Sequence, residues 1–218
     1  MYQPAITGTG LFTPKHVITN DELVVAFNAY ADQFNADNAA AIASGEIEAK
    51  PQSSADFIFA ASGIERRYVF EKAGILDPAV MHPLIPPRAD DAACIMAEMG
   101  VDACQKALDQ AGINAADIDL VICAASNHER AYPAIAVEIQ TLLGCSGMAF
   151  DMNVACSSAT FGIQAAADMI RSGSVRKALI VNPELCSNHL EWRDRDCHFI
   201  FGDVATATVI ERAEDAKS

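Results

Sequence analysis

Residues 151 to 165 read DMNVACSSATFGIQA, which sets Cys156 and two serines where a buried strand turns into a largely apolar helix. A cysteine in that place does one of two things. It packs as a small hydrophobe, the ordinary fate of a free cysteine. Or it supplies a thiolate, because the open N–H groups and partial positive charge at a helix start lower a thiol pKa from its usual value of about 8.5. The carboxyl end of a strand in an open α/β sheet is where such folds place their sites. Ala155, Ser157, Ser158 and Ala159 are small enough to let a substrate reach the sulfur. The spacing alone leaves both readings open.

The remaining cysteines, Cys94, Cys104, Cys123, Cys145, Cys186 and Cys197, bring the total to seven, an odd number with no C-x-x-C pair and no Cys/His ligand spacing. No disulfide framework and no metal site is expected from that pattern. Cys104 and Cys123 fall on apolar helix and strand faces and read as core. The five histidines, His16, His82, His128, His189 and His198, read as surface or loop residues, with His128 the nearest to the turn at Cys156.

To hold a thiol in such a turn the chain needs a strand before it and a helix after it. GMAFDMN predicts the strand, and CSSATFGIQAAADMIRSG the helix. The long polar side chains of that helix, Gln164, Asp168 and Arg171, fall at spacings of four and three and make one narrow wet edge, so the helix should be buried in a sandwich. DIDLVICAAS and RKALIVNP are nearly continuous apolar runs, as parallel strands covered on both faces are. YPAIAVEIQTLLG predicts a helix between strands. CHFIFGDVATATVIE is expected to close the sheet as an antiparallel pair at its edge.

Upstream, Pro4 to Thr9 predicts a strand, and Thr19 or Asn20 an N-cap for a helix over about Asp21 to Tyr30. Ala31 to Ser54 is rich in Ala, Asn and Ser without a clean period, and is expected to be a mobile insertion with a short helix at most. SADFIFAASGIERRYVF predicts a short helix ended near Gly63 and a strand through Arg67 and Val69. Pro78, Pro83, Pro86 and Pro87 make Glu71 to Asp91 a surface loop. From Asp90 and Asp91 a helix runs through Ala92, Met96, Met99, Ala103 and Ala107 to Gly112, its apolar residues three or four apart. Strands alternating with helices imply a right-handed, mostly parallel α/β sheet with helices on both faces.

Bulk properties fit a single large core. The 218 residues are 51% hydrophobic, and the net charge of -14 disfavours a phosphate-binding surface, so no nucleic acid is expected. The start MYQPAITGTGLFTP lacks a basic segment followed by an apolar one, and no run approaches the roughly 20 apolar residues of a membrane span. The expectation is a soluble, cytoplasmic protein.

In family order, GTGLFTPKHVITNDEL, SGIERR, DIDLVICAAS, YPAIAVEIQTLLG, AFDMNVACSSATFGIQAAADMIRSGSVRKALIV and FIFGDVATATVI resemble the first half of a β-ketoacyl-[acyl carrier protein] synthase III of the thiolase superfamily. The resemblance implies a thiolase-like fold and an acyltransferase of fatty acid biosynthesis. Cys156 would accept an acyl group from acyl-CoA, and the acyl-enzyme would condense with malonyl-[acyl carrier protein] with loss of CO2. Its backbone N–H would help bind the oxyanion. The same matching gives Arg195 to the CoA adenine, Tyr132 to the acyl pocket of a dimer partner, Phe201 to that pocket, and Ser126 to substrate binding. It implies a homodimer, acyl-CoA and acyl carrier protein as partners, and no cofactor.

The chain also departs from the family. The family histidine and asparagine that stabilise the carbanion belong to a second half, and no histidine here stands in the H-x-x-x-N setting. The layout expected is therefore residues 1–211 as one thiolase-like half with insertions at about 31–54 and 71–91, then 212–218 as a linker or frayed end. One apolar face of the Cys156 helix would lack a partner. Where the family holds the CoA adenine with a tryptophan and an arginine, this chain has Phe57 and Ala61. Phe57 can stack; Ala61 cannot bind phosphate. The two insertions are expected to shape a site for a medium-chain primer. The rival readings are another condensing enzyme on the same fold, non-decarboxylating or quinolone-type, and an inactive partner subunit.

Overall fold

The computed structural model describes residues 1–89 and 91–216, so the helix start expected at Asp90 and the last two residues of the expected linker lie outside the described residues. In chain order the strands are β1 (Pro4–Phe12), β2 (His16–Thr19), β3 (Arg66–Val69), β4 (Leu120–Ala124), β5 (Met148–Met152), β6 (Lys177–Leu185) and β7 (Asp203–Arg212). The helices are α1 (Asn20–Asp37), α2 (Ala39–Ala43), α3 (Ala55–Ser62), α4 (Ile95–Ala111), α5 (Ile135–Leu143) and α6 (Ser158–Ser172). The expectation was one domain over 1–211. The chain instead divides into two compact units: Met1–Thr13 with Arg88–Leu185 and Val204–Ser218, and Pro14–Pro87 with Cys186–Asp203. Among the described residues no helix is long and apolar enough to cross a membrane.

The first unit is a mixed sheet in the order β1-β7-β6-β4-β5. The predicted parallel core is present, β4 pairing in parallel with both β5 and β6. Every residue of β4 is buried, as its unbroken apolar run requires. Alternation then sorts the side chains. Leu120, Ile122, Ala124, Ala178 and Ile180 pack with Ala166 and Ile170 of α6. On the opposite face, a Cβ at Gly100 of α4 would come 3.1 Å from Val181 and 2.9 Å from Ile139. Each fully buried isoleucine or leucine contributes about 1.5–3 kcal/mol.

The GTG run at the start of the chain has a packing cause. A Cβ at Gly8 or Gly10 would lie 2.1 or 1.9 Å from the carbonyl oxygens of Ala107 and Ala103, so β1 can meet the α4 backbone only without side chains there. The expected C-terminal edge pair is corrected. Residues 197–202 are turn and irregular backbone, and β7 is a single strand between β1 and β6 whose antiparallel partner is β1. Of the two runs that look like a local hairpin, only the second is a strand, and it pairs with a strand at the other end of the sequence. The helix predicted from Asp90 starts at Ile95: Cys94 caps it, its Sγ accepting the Ala97 N–H, while the Glu138 and Glu129 carboxylates take the N–H groups of Cys94 and Met96. Arg212 ends β7, Ala213 donates to the Gln3 carbonyl, and Asp215 pairs with Arg176 at 3.0 Å.

The second unit has its own core of Ile18, Leu23, Phe27, Ile58, Val69, Ile75, Met81, Trp192 and Phe199. Thr19 is the N-cap of α1 and forms a capping box with Glu22. The RR of SGIERR is half buried chemistry: Arg67 is inside, donating to Asn20 Oδ1 at 2.5 Å, and burial pulls its pKa down to about 10. Asp203 is buried and accepts from the Ser187 N–H and hydroxyl and the Phe70 N–H, with burial raising its pKa.

Three expectations change in this unit. The Glu71 to Asp91 segment is irregular, as its prolines require, yet Ile75 and Met81 are fully buried, so it is core as well as surface. The Glu71 carboxylate organises it, accepting the N–H groups of Ala73, Gly74 and Leu84. His198, expected at the surface, is fully buried edge-on to Phe27 at 4.6 Å, and burial lowers its pKa to about 4. The segment from Ala31 to Ser54 is built rather than loose. Helix α1 runs on to Asp37, and its residues Asn28, Asp32 and Asn35, spaced four and three along one face, hold an extended strap at residues 50–53. Asn35 pairs with both backbone groups of Lys50, Asn28 with both of Ser53, and Asp32 accepts from the Gln52 amide.

Candidate active site

Cys156 stands between β5 and α6. The helix begins at Ser158 with Ser157 as its N-cap, so the cysteine lies just before the cap and not in the first turn as expected. The preceding residue, Ala155, has φ of 49°, a left-handed conformation that costs a residue with a Cβ about 1–3 kcal/mol. Two side chains hold this sharp turn. Asn153 Oδ1 accepts the Ala155 N–H at 2.9 Å, and Ser158 Oγ accepts the Val154 N–H at 2.9 Å while lying 2.7 Å from the Ala155 carbonyl oxygen. The strand–turn–helix thereby turns the cysteine outward.

All seven cysteines are described, and Cys156 alone is exposed. Burial pushes the thiols of Cys104, Cys123 and Cys145 up, that of Cys94 to about 12 and that of Cys197 to about 11. The sequence reading of Cys104 and Cys123 as core is borne out. One helix turn past Ser158, Gly162 brings α6 onto the sheet; a Cβ there would meet that of Ala124 at 3.0 Å.

The turn is tied to the strand ends. Asn153 Nδ2 donates to the Ser126 carbonyl at 2.9 Å. The Ser126 hydroxyl and N–H donate in turn to the two oxygens of Glu184 at 2.6 and 2.7 Å. Ser126 is thus linked through Asn153 to the Cys156 turn, with its hydroxyl engaged by a carboxylate. Sequence reasoning missed Asn153, Ser158 and Glu184. The first two were visible as polar residues within an apolar stretch, while Glu184 is joined to Ser126 only by the parallel strands. His128 Nε2 lies 3.9 Å from Asp151, and the pair is close to Cys123. The Asp151 carboxylate accepts the N–H groups of Ile135 and Ala136 at 2.8 Å each, which makes it the cap of α5. Tyr132, in the loop before α5, is 88% exposed.

The remaining predicted residues belong to the second unit. Arg195 and Phe57 are brought together, the guanidinium carbon 3.6 Å from the ring centroid. The Arg195 Nε donates to the Gln52 carbonyl on the strap, so the stacked pair and the strap form one assembly. Phe201 is half exposed in the irregular segment before β7.

Residues 150–218 match the model of the family described as 3-oxoacyl-[acyl-carrier-protein] synthase III. A β-ketodecanoyl-[acyl-carrier-protein] synthase of Pseudomonas aeruginosa is 56% identical over 193 residues, covering 88% of this chain and 55% of that protein. A β-ketoacyl-[acyl-carrier-protein] synthase III of Agrobacterium fabrum is 33% identical over 98% of this chain and 53% of its own length. The crystal structure of 3-oxoacyl-[acyl-carrier-protein] synthase III from Aquifex aeolicus superposes with a TM-score of 0.72 at 25% identity, over 97% of this chain and 55% of that one. The chain spans about half the length of the curated relatives it matches. The thiolase-like α/β fold and the strand-turn-helix around Cys156 agree with these likenesses, and the chain belongs to the 3-oxoacyl-[acyl-carrier-protein] synthase III family.

Proposed function

We propose that Cys156 is the acyl-accepting nucleophile of a decarboxylative condensing enzyme in fatty acid biosynthesis. The thiolate attacks the carbonyl of acyl-CoA, the CoA thiolate leaves, and an acyl-Cys156 thioester remains. Malonyl-[acyl carrier protein] then loses CO2, its carbanion attacks the thioester, and Cys156 is released as the thiolate. The observation that carries this reading is the exposed thiol on a side-chain-clamped turn, in a chain whose other six cysteines are buried or half-buried.

The Pseudomonas aeruginosa relative is named for a β-ketodecanoyl product, which has ten carbons. Condensation adds two, so the matching primer is an octanoyl thioester, in keeping with a medium-chain site. Tyr132 and Phe201 are assigned to the acyl pocket of a homodimer, Arg195 and Phe57 to the nucleotide end of CoA, and Ser126 to positioning the Cys156 turn. The groups that stabilise the carbanion are placed outside residues 1–218, and the reaction uses no cofactor.

Mass spectrometry of the protein after exposure to acetyl-, octanoyl- and decanoyl-CoA tests both levels. An octanoyl adduct on Cys156 is expected. An acetyl preference sinks the medium-chain assignment, and an adduct on another cysteine sinks the assignment of the nucleophile.

A further inference from the structure

At its carboxyl end the chain of β4 runs on beyond its backbone pairing. The parallel register with β6 ends at Cys123 and Val181, and that with β5 at Ala124 and Met152. The Ala125 N–H still reaches the Met152 carbonyl at 3.2 Å. From there side chains do what a ladder does elsewhere. Asn182 Nδ2 donates to the Ala124 carbonyl at 2.6 Å, Ser158 Oγ lies 3.1 Å from the Ala125 carbonyl oxygen, and Asn153 Nδ2 donates to the Ser126 carbonyl at 2.9 Å. Pro183 of β6 has no N–H to extend the pairing. The residues on either side of it, Asn182 and Glu184, reach this segment with their side chains instead.

Ser126 is the crosspiece of the arrangement. On one side Glu184 takes its N–H at 2.7 Å and its hydroxyl at 2.6 Å. On the other its carbonyl accepts from Asn153, whose Oδ1 accepts the Ala155 N–H at 2.9 Å. Two charge-assisted bonds to one residue fix its rotamer and its backbone together, and so set where its carbonyl points. Asn153 then holds the left-handed Ala155 where Ser126 allows. An unbroken hydrogen-bonded path thus runs from β6, past the end of β4, to the residue before Cys156. Such a path matters through distance: a reacting group misplaced by an ångström can lose about a hundredfold in rate.

We propose that Glu184 is a positioning residue for acyl transfer, acting on Cys156 through Ser126 and Asn153 by its reach and not by its charge. The proposal rests on the reading of Cys156 as the acyl acceptor. It also accounts for the pairing of the Ser126 hydroxyl with a carboxylate: the serine serves the turn, and its hydroxyl is not offered to substrate.

Two conservative variants separate reach from charge. Glu184→Gln keeps the reach, since its amide oxygen can accept the Ser126 N–H while its NH2 donates to the hydroxyl oxygen. Glu184→Asp keeps the charge and withdraws it from Ser126 by one methylene. Acyl transfer to Cys156, followed by mass spectrometry with the CoA thioester that labels it fastest, is expected to stay close to the unmodified rate in Glu184→Gln. In Glu184→Asp it should slow about tenfold or more. Circular dichroism and thermal melts identify a variant that misfolds, and Ser126→Ala, which removes the hydroxyl contact alone and should also be slow, replaces Glu184→Asp if that variant does. A slow Glu184→Gln, or a folded Glu184→Asp as fast as the unmodified protein, overturns the proposal. Combined with Asn153→Ala, which already cuts the path, Glu184→Asp is expected to cost nothing further; additive losses overturn the route through Asn153. An adduct absent from Cys156 of the unmodified protein with acetyl-, octanoyl- and decanoyl-CoA sinks the nucleophile and this proposal together, whereas a normal adduct with an insensitive Glu184→Asp sinks the role of Glu184 alone.

Discussion

The turn that presents Cys156 and the strap that carries Lys50 are both irregular backbone held by polar side chains, and they are held from different directions. At Cys156 the clamps, Asn153 and Ser158, belong to the turn itself and stand within three residues of the cysteine. The strap has no local clamp; Asn28, Asp32 and Asn35 reach it from a helix 15 to 25 residues away. The first arrangement stores strain at Ala155 and needs close support on both sides. The second is an unstrained extended chain that needs only to be kept in register. A short motif can record the first, and only three dimensions record the second.

That contrast orders the variants that would break it. The largest effect belongs to Cys156→Ala, which should abolish the acyl adduct, a loss on the order of a thousandfold or more in acyl transfer rate. Next is Asn153→Ala. It leaves the Ala155 N–H without its acceptor and cuts the tie to Ser126, costing about 1–3 kcal/mol. Acylation should slow about tenfold or more, while a thermal melt shifts by only a few degrees. A rate equal to the unmodified protein would mean that the turn holds itself.

The strap should respond in the opposite way. Asn35→Ala removes both bonds to the Lys50 backbone and loosens the strap whose Gln52 carbonyl holds Arg195; it should weaken CoA binding several-fold, while acyl transfer from a pantetheine thioester to Cys156 stays close to that of the unmodified protein. Equal losses with both donors would show that the two regions do not act separately.

The last effect concerns pH and falls on stability, leaving the comparison of the two regions untouched. The folded-state pKa of His198, about 4, lies below its ordinary value of 6.5, so the unfolded chain binds the proton more readily. The stability that neutral His198 allows is complete above about pH 6.5 and is lost as pH falls towards 4, up to about 3 kcal/mol by the size of the shift. Asp203, whose pKa is raised by burial, works against part of that loss. Urea unfolding at pH 7 and pH 4.5 should show the decline, and His198→Gln should flatten it; an equal decline in the variant would place the acid sensitivity elsewhere.

Much of the frame is legible in the sequence because it rests on apolar pattern. The unbroken run of β4, the Thr19 cap with Glu22 and the three-four spacing in α4 each state their own structure. What escapes is what depends on distant partners. The pairing of β7 with β1 looks like a local hairpin because nothing in residues 197–210 names a strand at the amino terminus. The burial of His198 depends on Phe27 of α1, far away in sequence. The Asn28, Asp32 and Asn35 stripe looks like an ordinary wet helix face, since amides that grip backbone and amides that face water have the same composition. At the site, Cys156 could be found from its neighbours, whereas Glu184 becomes part of it only when β4 and β6 lie side by side.

The anchoring of the strap has a consequence for how this chain tolerates change in length. Hydrogen bonds fix it from Lys50 onward, and the turn after α2 is fixed as far as Ile47, whose N–H reaches the Ala41 carbonyl. Glu48 and Ala49 between them are exposed and carry slack. Extra residues spliced there would enlarge only a loop, at about 0.6 kcal/mol for each doubling of its length, and the backbone of Lys50 would stay where Asn35 puts it. This one link of the chain is therefore a natural attachment point, where a tag or reporter can be threaded in without shifting the strap a few residues on.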